Sequence, residues 1–364
     1  MKRIHSSLLF SAVWSLCVGC GPASEGTPPA VLESQSQSLA GEVGVWTRTS
    51  ESTYGAYSAV LLRGGDVLTS LGGFTQRYNP YTNTWRTMSP MCSPGRCGDF
   101  LFTPFSSGKV LAYTTVLDRT GGSGSWMAYS PATEEWLQIP GPHESRRNVT
   151  TTLLGSGKVL VVGGYFFNYR ENTVLGTAEE YDSATDAWTA LPGSLATPRY
   201  DHSATLLYSG KVLVVGGLSA QGEKLTSAEL YDPATRTWTA AGSMTSARSR
   251  HLAIRLNSGS VMVLGDDGPG TAPGVELYDP YNGRWSQGPA LAIARPVTAT
   301  LLYSGEVLVT GDGGEAAVYS PSQNAWLPAP SSGVAASRAA AVRLTSGEVF
   351  LVGSYVNAAA RYKR

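Results

Sequence analysis

Outside the first twenty residues the chain holds three histidines, His143, His202 and His251, and imidazole is a ligand for copper or zinc. His202 and His251 stand in related contexts, R-Y-D-H and R-S-R-H. A row of arginines runs beside them. Arg146, Arg199 and Arg248 each precede a turn glycine by eleven residues, and Arg295 and Arg338 precede theirs by ten and nine. Guanidinium groups in such a row would hold an anion or carboxylate by bidentate pairing. Both series also have a purely structural reading. Identical placement in adjacent copies is what duplication produces without any metal, and a repeated arginine can serve loop carbonyls. The carboxylates Asp266, Asp267 and Asp312 replace glycines that other copies carry, so they need no catalytic role. No GxSxG elbow, HExxH pair, P-loop or dinucleotide fingerprint is present.

Two further stretches could engage a partner. Tyr165 to Thr177, YFFNYRENTVLGT, packs Tyr165, Phe166, Phe167, Tyr169 and Arg170 into one variable loop. Aromatics at that density read as a contact surface, or as rings that fold back on their own support. Cys92 and Cys97 flank the short loop CSPGRC and, in an exported chain, read as a local disulfide.

These residues recur because the chain does. Aligned on a turn glycine, seven copies appear at Gly65, Gly108, Gly157, Gly210, Gly259, Gly305 and Gly347, spaced by 43, 49, 53, 49, 46 and 42 residues. That period is the size of a propeller blade. An apolar strand such as KVLVV follows each glycine, and Gly doublets close it at Gly72-Gly73, Gly163-Gly164 and Gly216-Gly217. Then Tyr78, Tyr129, Tyr181, Tyr231, Tyr278 and Tyr319 each stand seven residues before a tryptophan, across turns such as DPATR. The combination resembles the kelch repeat family over residues 43–364, with blade two departing most, since Tyr113-Thr114-Thr115 replaces its doublet.

The resemblance implies an all-β propeller of seven four-stranded blades. The seventh copy stops after Tyr362 without a tryptophan, whereas Trp46 has no tyrosine upstream. The segment around Trp46 is therefore expected to supply the outer strand of blade seven and close the ring, which removes exposed strand edges. A six-bladed ring with loose ends is the alternative. In such blades the first-to-second and third-to-fourth turns share one side, here nearly uniform. The second-to-third loops and inter-blade links share the other, where the histidines, arginines and aromatic loop collect.

Secreted oxidases of the galactose-oxidase type share this architecture, and their copper needs two His, two Tyr and a Tyr–Cys cross-link. With Cys92 and Cys97 read as a disulfide, that inventory is not met, and no metal or other cofactor is expected. The chain has zero formal net charge and 15% charged residues, without the basic patch that nucleic acid requires. Lys2 and Arg3 precede an apolar run, Ser7 to Val18, too short to span a bilayer as a helix. Cys20 then resembles the acylated cysteine of bacterial lipoproteins, with a plain secretory signal as the alternative. Residues 1–20 read as the signal, 21–42 as a flexible linker and 43–364 as the propeller. The expectation is a monomeric, exported, non-catalytic binding or scaffolding module for a protein or glycan, touching membrane only through the lipid. An envelope enzyme acting on carbohydrate is the alternative.

Overall fold

Seven four-stranded antiparallel sheets make up the computed structural model, which describes residues 43–92, 97–116, 124–167, 172–265 and 274–364. The first strands of the blades are Ser58–Leu61, Cys97–Pro104, Thr150–Leu153, Ser203–Leu206, Leu252–Arg255, Pro296–Leu301 and Ala339–Arg343. Each touches the next in order and the last touches the first, so they ring a central axis and the propeller is closed. Blade seven is completed by Val45–Arg48, which pairs antiparallel with Ala359–Lys363 and sets Trp46 opposite Tyr362. The closure expected from the orphan tryptophan is the one observed.

The spaced aromatics have one physical use in every blade. Tyr and Trp seven apart face each other across the third and fourth strands, as in Tyr231↔Trp238 and Tyr181↔Trp188. With Tyr362–Trp46 included, the ring centroids lie 4.8–5.3 Å apart in all seven blades. Such pairs add about 0.5–1.5 kcal/mol beyond the area they bury.

Second strands are largely apolar because both their faces are covered. Val159–Val162 and Val212–Val215 have no exposed side chain. Side chains alternate along a strand, so neighbours in sequence serve different blade joints. Val159 and Val161 pack with Leu111 and Tyr113 of blade two, whereas Leu160 and Val162 pack with Val212 and Val214 of blade four. Each buried aliphatic contributes about 1.5–3 kcal/mol, and it does so only if the neighbouring blade is in place. In blade two, where the doublet is missing, the second strand simply runs on as Val110–Val116.

Candidate functional site

The loop side is built on the links between blades, and the repeated arginines anchor those links. Arg146, Arg199 and Arg248 are 0%, 0% and 2% exposed. Arg199 spends five hydrogen bonds inside the protein: to the carbonyls of Thr197 (3.1 Å), Gly216 (3.0 Å) and Ser227 (2.9 Å), to Ser227 Oγ (3.0 Å) and to Glu229 (2.8 Å). Arg146 binds Glu179 at 3.1 Å and Arg248 binds Glu276 at 3.2 Å. The acid that a ligand was expected to bring to these arginines is thus the chain's own Glu179, Glu229 and Glu276. Those carboxylates also accept successive backbone amides of the link, Ala196 and Thr197 on Glu229, and Thr245 and Ser246 on Glu276. Burial pushes the Glu179 carboxyl up, but the amides of His143 and Glu144, the His143 ring and Arg146 together hold it below the usual carboxylate range.

The Gly doublets belong to the same clamp. Arg146 and Arg199 reach the carbonyls of Gly163 and Gly216, while the amides of Gly164 and Gly217 donate to the carbonyls of Arg199 and Arg248 in the next link, both at 2.8 Å. A Cβ on Gly163 would lie 2.5 Å from Arg199 O, and one on Gly216 would lie 2.6 Å from Arg248 O. No side chain fits there. Blade one shows the neutral version, since Gln76 Nε2 donates to Tyr54 O (2.8 Å) and Gln76 Oε1 accepts from Thr53 N (3.0 Å). Arg295, by contrast, is exposed and faces Asp312 at 3.6 Å.

His202 and His251 close the joints nearest the axis. His202 Nε2 shares a hydrogen bond with Thr150 Oγ1 of blade three (2.9 Å), and His251 Nε2 with Ser203 Oγ of blade four (2.8 Å). Burial, with Arg199 and His251 nearby, pushes His202 down to about 3; burial and Arg248 push His251 to about 3 as well. Both are neutral near pH 7. His143 sits apart, pairing with Glu179 at 2.7 Å. No group of three or more His, Cys, Asp or Glu is placed to hold a metal ion among the described residues.

The aromatic loop begins as a small hairpin, Tyr165–Phe167 paired with Asn172–Val174. It is fastened to the link by mutual backbone bonds between Arg147 and Tyr165, both 2.9 Å. Tyr165 and Phe166 are half-buried, and the Tyr165 ring meets Tyr200 edge-on at 5.1 Å. Tyr169 and Arg170 lie outside the described residues, as does Cys20. Two other aromatic pairs occupy this side, Tyr54 stacked on Phe74 (4.5 Å) and Tyr57 against Tyr355 (5.3 Å). Cys92 and Cys97 are joined as a disulfide with their Cα atoms 6.5 Å apart. On the uniform side, Lys158 and Lys211 pair with Asp182 (3.6 Å) and Asp232 (3.1 Å) of their own blades.

Residues 150–194 and 198–245 match the family described as Kelch motif. Among curated proteins, the chain is 33% identical over 150 residues to an F-box/kelch-repeat protein of Arabidopsis thaliana, covering 40% of this chain and 38% of that one. It is 24% identical over 253 residues to the Kelch-like protein terF of Aspergillus terreus, covering 65% and 54%. The chain thus spans about half or less of the length of these relatives. Among solved structures, it resembles a fungal alcohol oxidase of the AA5 family in complex with copper, with a TM-score of 0.71, 15% identity, and coverage of 88% of this chain and 76% of that one. That likeness is one of fold. The donors here do not fit such a copper site, because Cys92 and Cys97 are bonded to each other and His202 and His251 each serve a blade joint.

Proposed function

We propose that this chain, a β-propeller built from kelch repeats, is a non-catalytic binding or scaffolding module that works outside the cytoplasm and holds a protein partner on its loop side. The observation that carries this reading is the division of labour on that side. Arg146, Arg199, Arg248, His202 and His251 are buried and committed to the links and blade joints, whereas Tyr165–Tyr200, Tyr57–Tyr355 and Tyr54–Phe74 are set at blade joints as aromatic pairs. Preorganised aromatics are the residues that anchor protein interfaces. The test is a screen of the purified full chain against envelope proteins and glycans. Changing Tyr165, Phe166 and Phe167 to Ala should weaken a captured partner about tenfold or more at unchanged melting temperature. Lys158→Ala and Lys211→Ala on the uniform side should leave it alone. The opposite pattern moves the site across the ring, and turnover of a sugar by the same preparation replaces the binder with an enzyme.

The location rests on the short apolar run before Cys20. Acyl chains there would be the source of membrane affinity. Cys20→Ala should shift the protein from membranes to the soluble fraction, and unchanged fractionation removes the lipid from the account.

A further inference from the structure

The uniform side carries most of the exposed aromatic surface, and the chain joins the ring at that same side. Eight large apolar or aromatic side chains stand exposed among the described residues. Four of them, Tyr81, Tyr208, Tyr281 and Tyr303, project from turns of the uniform side and are 58–79% exposed. A fifth, Val45, opens the outer strand of blade seven at the same end. Of the other three, Leu101 and Leu137 lie within strands, and only Tyr355 is carried by a loop of the opposite side. The end at which Val45 sits is fixed by its neighbours. It pairs with Lys363, and Arg364 binds Glu306 beside the turn glycine Gly305.

Each of the four rings is held at a blade joint. Tyr208 of blade four and Tyr281 of blade five both lie over the turn glycine Gly259, where an added Cβ would meet them at 3.3 and 3.0 Å. Tyr303 of blade six lies over Gly347 of blade seven, at 2.9 Å by the same measure. Tyr81 of blade one reaches that turn from the other side, its Oη sharing a hydrogen bond with Thr345 Oγ1 at 3.0 Å. The Arg255 guanidinium lies 4.0 Å from the centre of the Tyr208 ring, and Arg343 lies 4.3 Å from that of Tyr303. The rings therefore follow the joints from blade four round to blade one, each backed by protein on one side.

We propose that the uniform side rests on a lipid surface, with these four tyrosines seated among the headgroups, so that the loop side faces away from the membrane. Tyrosine suits that depth, because its ring enters the apolar boundary while its hydroxyl stays hydrated. The charges of this side permit close approach. Asp66, Asp182, Asp232, Glu306 and Glu348 each pair with a lysine or arginine, so these carboxylates add no net repulsion from an anionic leaflet. The point of entry selects lipid over other occupants. A chain held to the membrane ahead of Val45 makes contact between this side and the lipid an intramolecular event, for which weak individual rings suffice. A protein partner or a second copy gains no such help. The proposal rests on the reading of Cys20 as a membrane anchor, and it leaves the loop side open to its partner.

Chemical footprinting of the full chain on vesicles of phosphatidylethanolamine and phosphatidylglycerol tests this, with diazotised sulfanilate as a charged tyrosine reagent that stays in water. Tyr81, Tyr208, Tyr281 and Tyr303 should label about fivefold more slowly on vesicles than in solution, as expected of a side in contact for about four-fifths of the time. Tyr355 should label equally in both. Acylation of Lys158 and Lys211 should slow on vesicles too, and should return to its solution rate when all four tyrosines are changed to Ser. That variant should melt as the parent does, because the rings are exposed. The proposal is overturned if the chain does not sediment with the vesicles, if the four tyrosines label equally with and without them, if Tyr355 is protected in their place, or if the serine variant keeps both lysines protected. Tyrosines already slow in solution, with a dimer by sedimentation equilibrium, would give this side to a second copy and overturn it as well. Failure of the anchor reads out separately, as unchanged membrane fractionation of Cys20→Ala.

Discussion

Lowering the pH to about 5 should loosen the ring through two histidines. His202 and His251 are each 8% exposed and bonded to the neighbouring blade through Nε2, and the folded state holds both near a pKa of about 3. In the unfolded chain histidine titrates near 6.5. Between those values the unfolded state binds more protons, so stability is complete above about pH 6.5 and falls as pH drops towards about 3. At about pH 5, roughly 1.5 units below the unfolded value, each histidine costs about 2 kcal/mol and the two about 4 kcal/mol. Against a net stability of about 5–15 kcal/mol, that is a large fraction. Glu179 does not confuse this window, because a depressed carboxylate keeps its contribution until the pH falls below about 4.3. Urea unfolding followed by tryptophan fluorescence at several pH values between about 7.5 and about 5 reads the slope directly. The His202→Gln, His251→Gln double variant should start less stable and stay nearly flat across the window. A parent that is flat, or a double variant with the parent's slope, refutes the buried neutral pair.

Two more outcomes follow from the clamps and the closure. Arg199→Met leaves Glu229 buried beside two link amides and should cost about 3–5 kcal/mol by thermal or urea unfolding. Adding Glu229→Gln should recover part of that cost, and strict additivity of the two changes would show that they are not coupled. Deleting residues 43–50 removes Trp46 from Tyr362 and exposes a strand edge of blade seven. The melting temperature should fall sharply and light scattering should report aggregation, whereas parent-like melting would place that strand outside the cooperative ring.

The parts of this protein that could be read from sequence were those that repetition makes local. Tyrosine seven residues before tryptophan needs only one hairpin, so Tyr231 and Trp238 announce their own pairing. Closure was legible for the same reason, since Trp46 and Tyr362 are the two halves of a unit seen intact six times. The glutamate partners escaped because Arg199 and Glu229 are 30 residues apart and meet only when the link folds over its own blade. A signal did exist. Glu179, Glu229 and Glu276 each stand two residues before the blade tyrosine in the three copies with arginine eleven before the turn glycine, while blade one has Tyr54 at that point and Gln76 for the acid. Charge at one repeat position that vanishes together with charge at another is the trace of a buried pair, because neither ion tolerates burial alone. Exposure had no such trace. Tyr278 and Tyr281 are three residues apart, yet the first is 1% exposed and the second 79%. Tyr278 is a copy held in every blade by the core on both sides. Tyr281 is shared only with Tyr81 among the corresponding turns, so the blade has no packing use for it, and what holds it in place is a turn that points it at solvent.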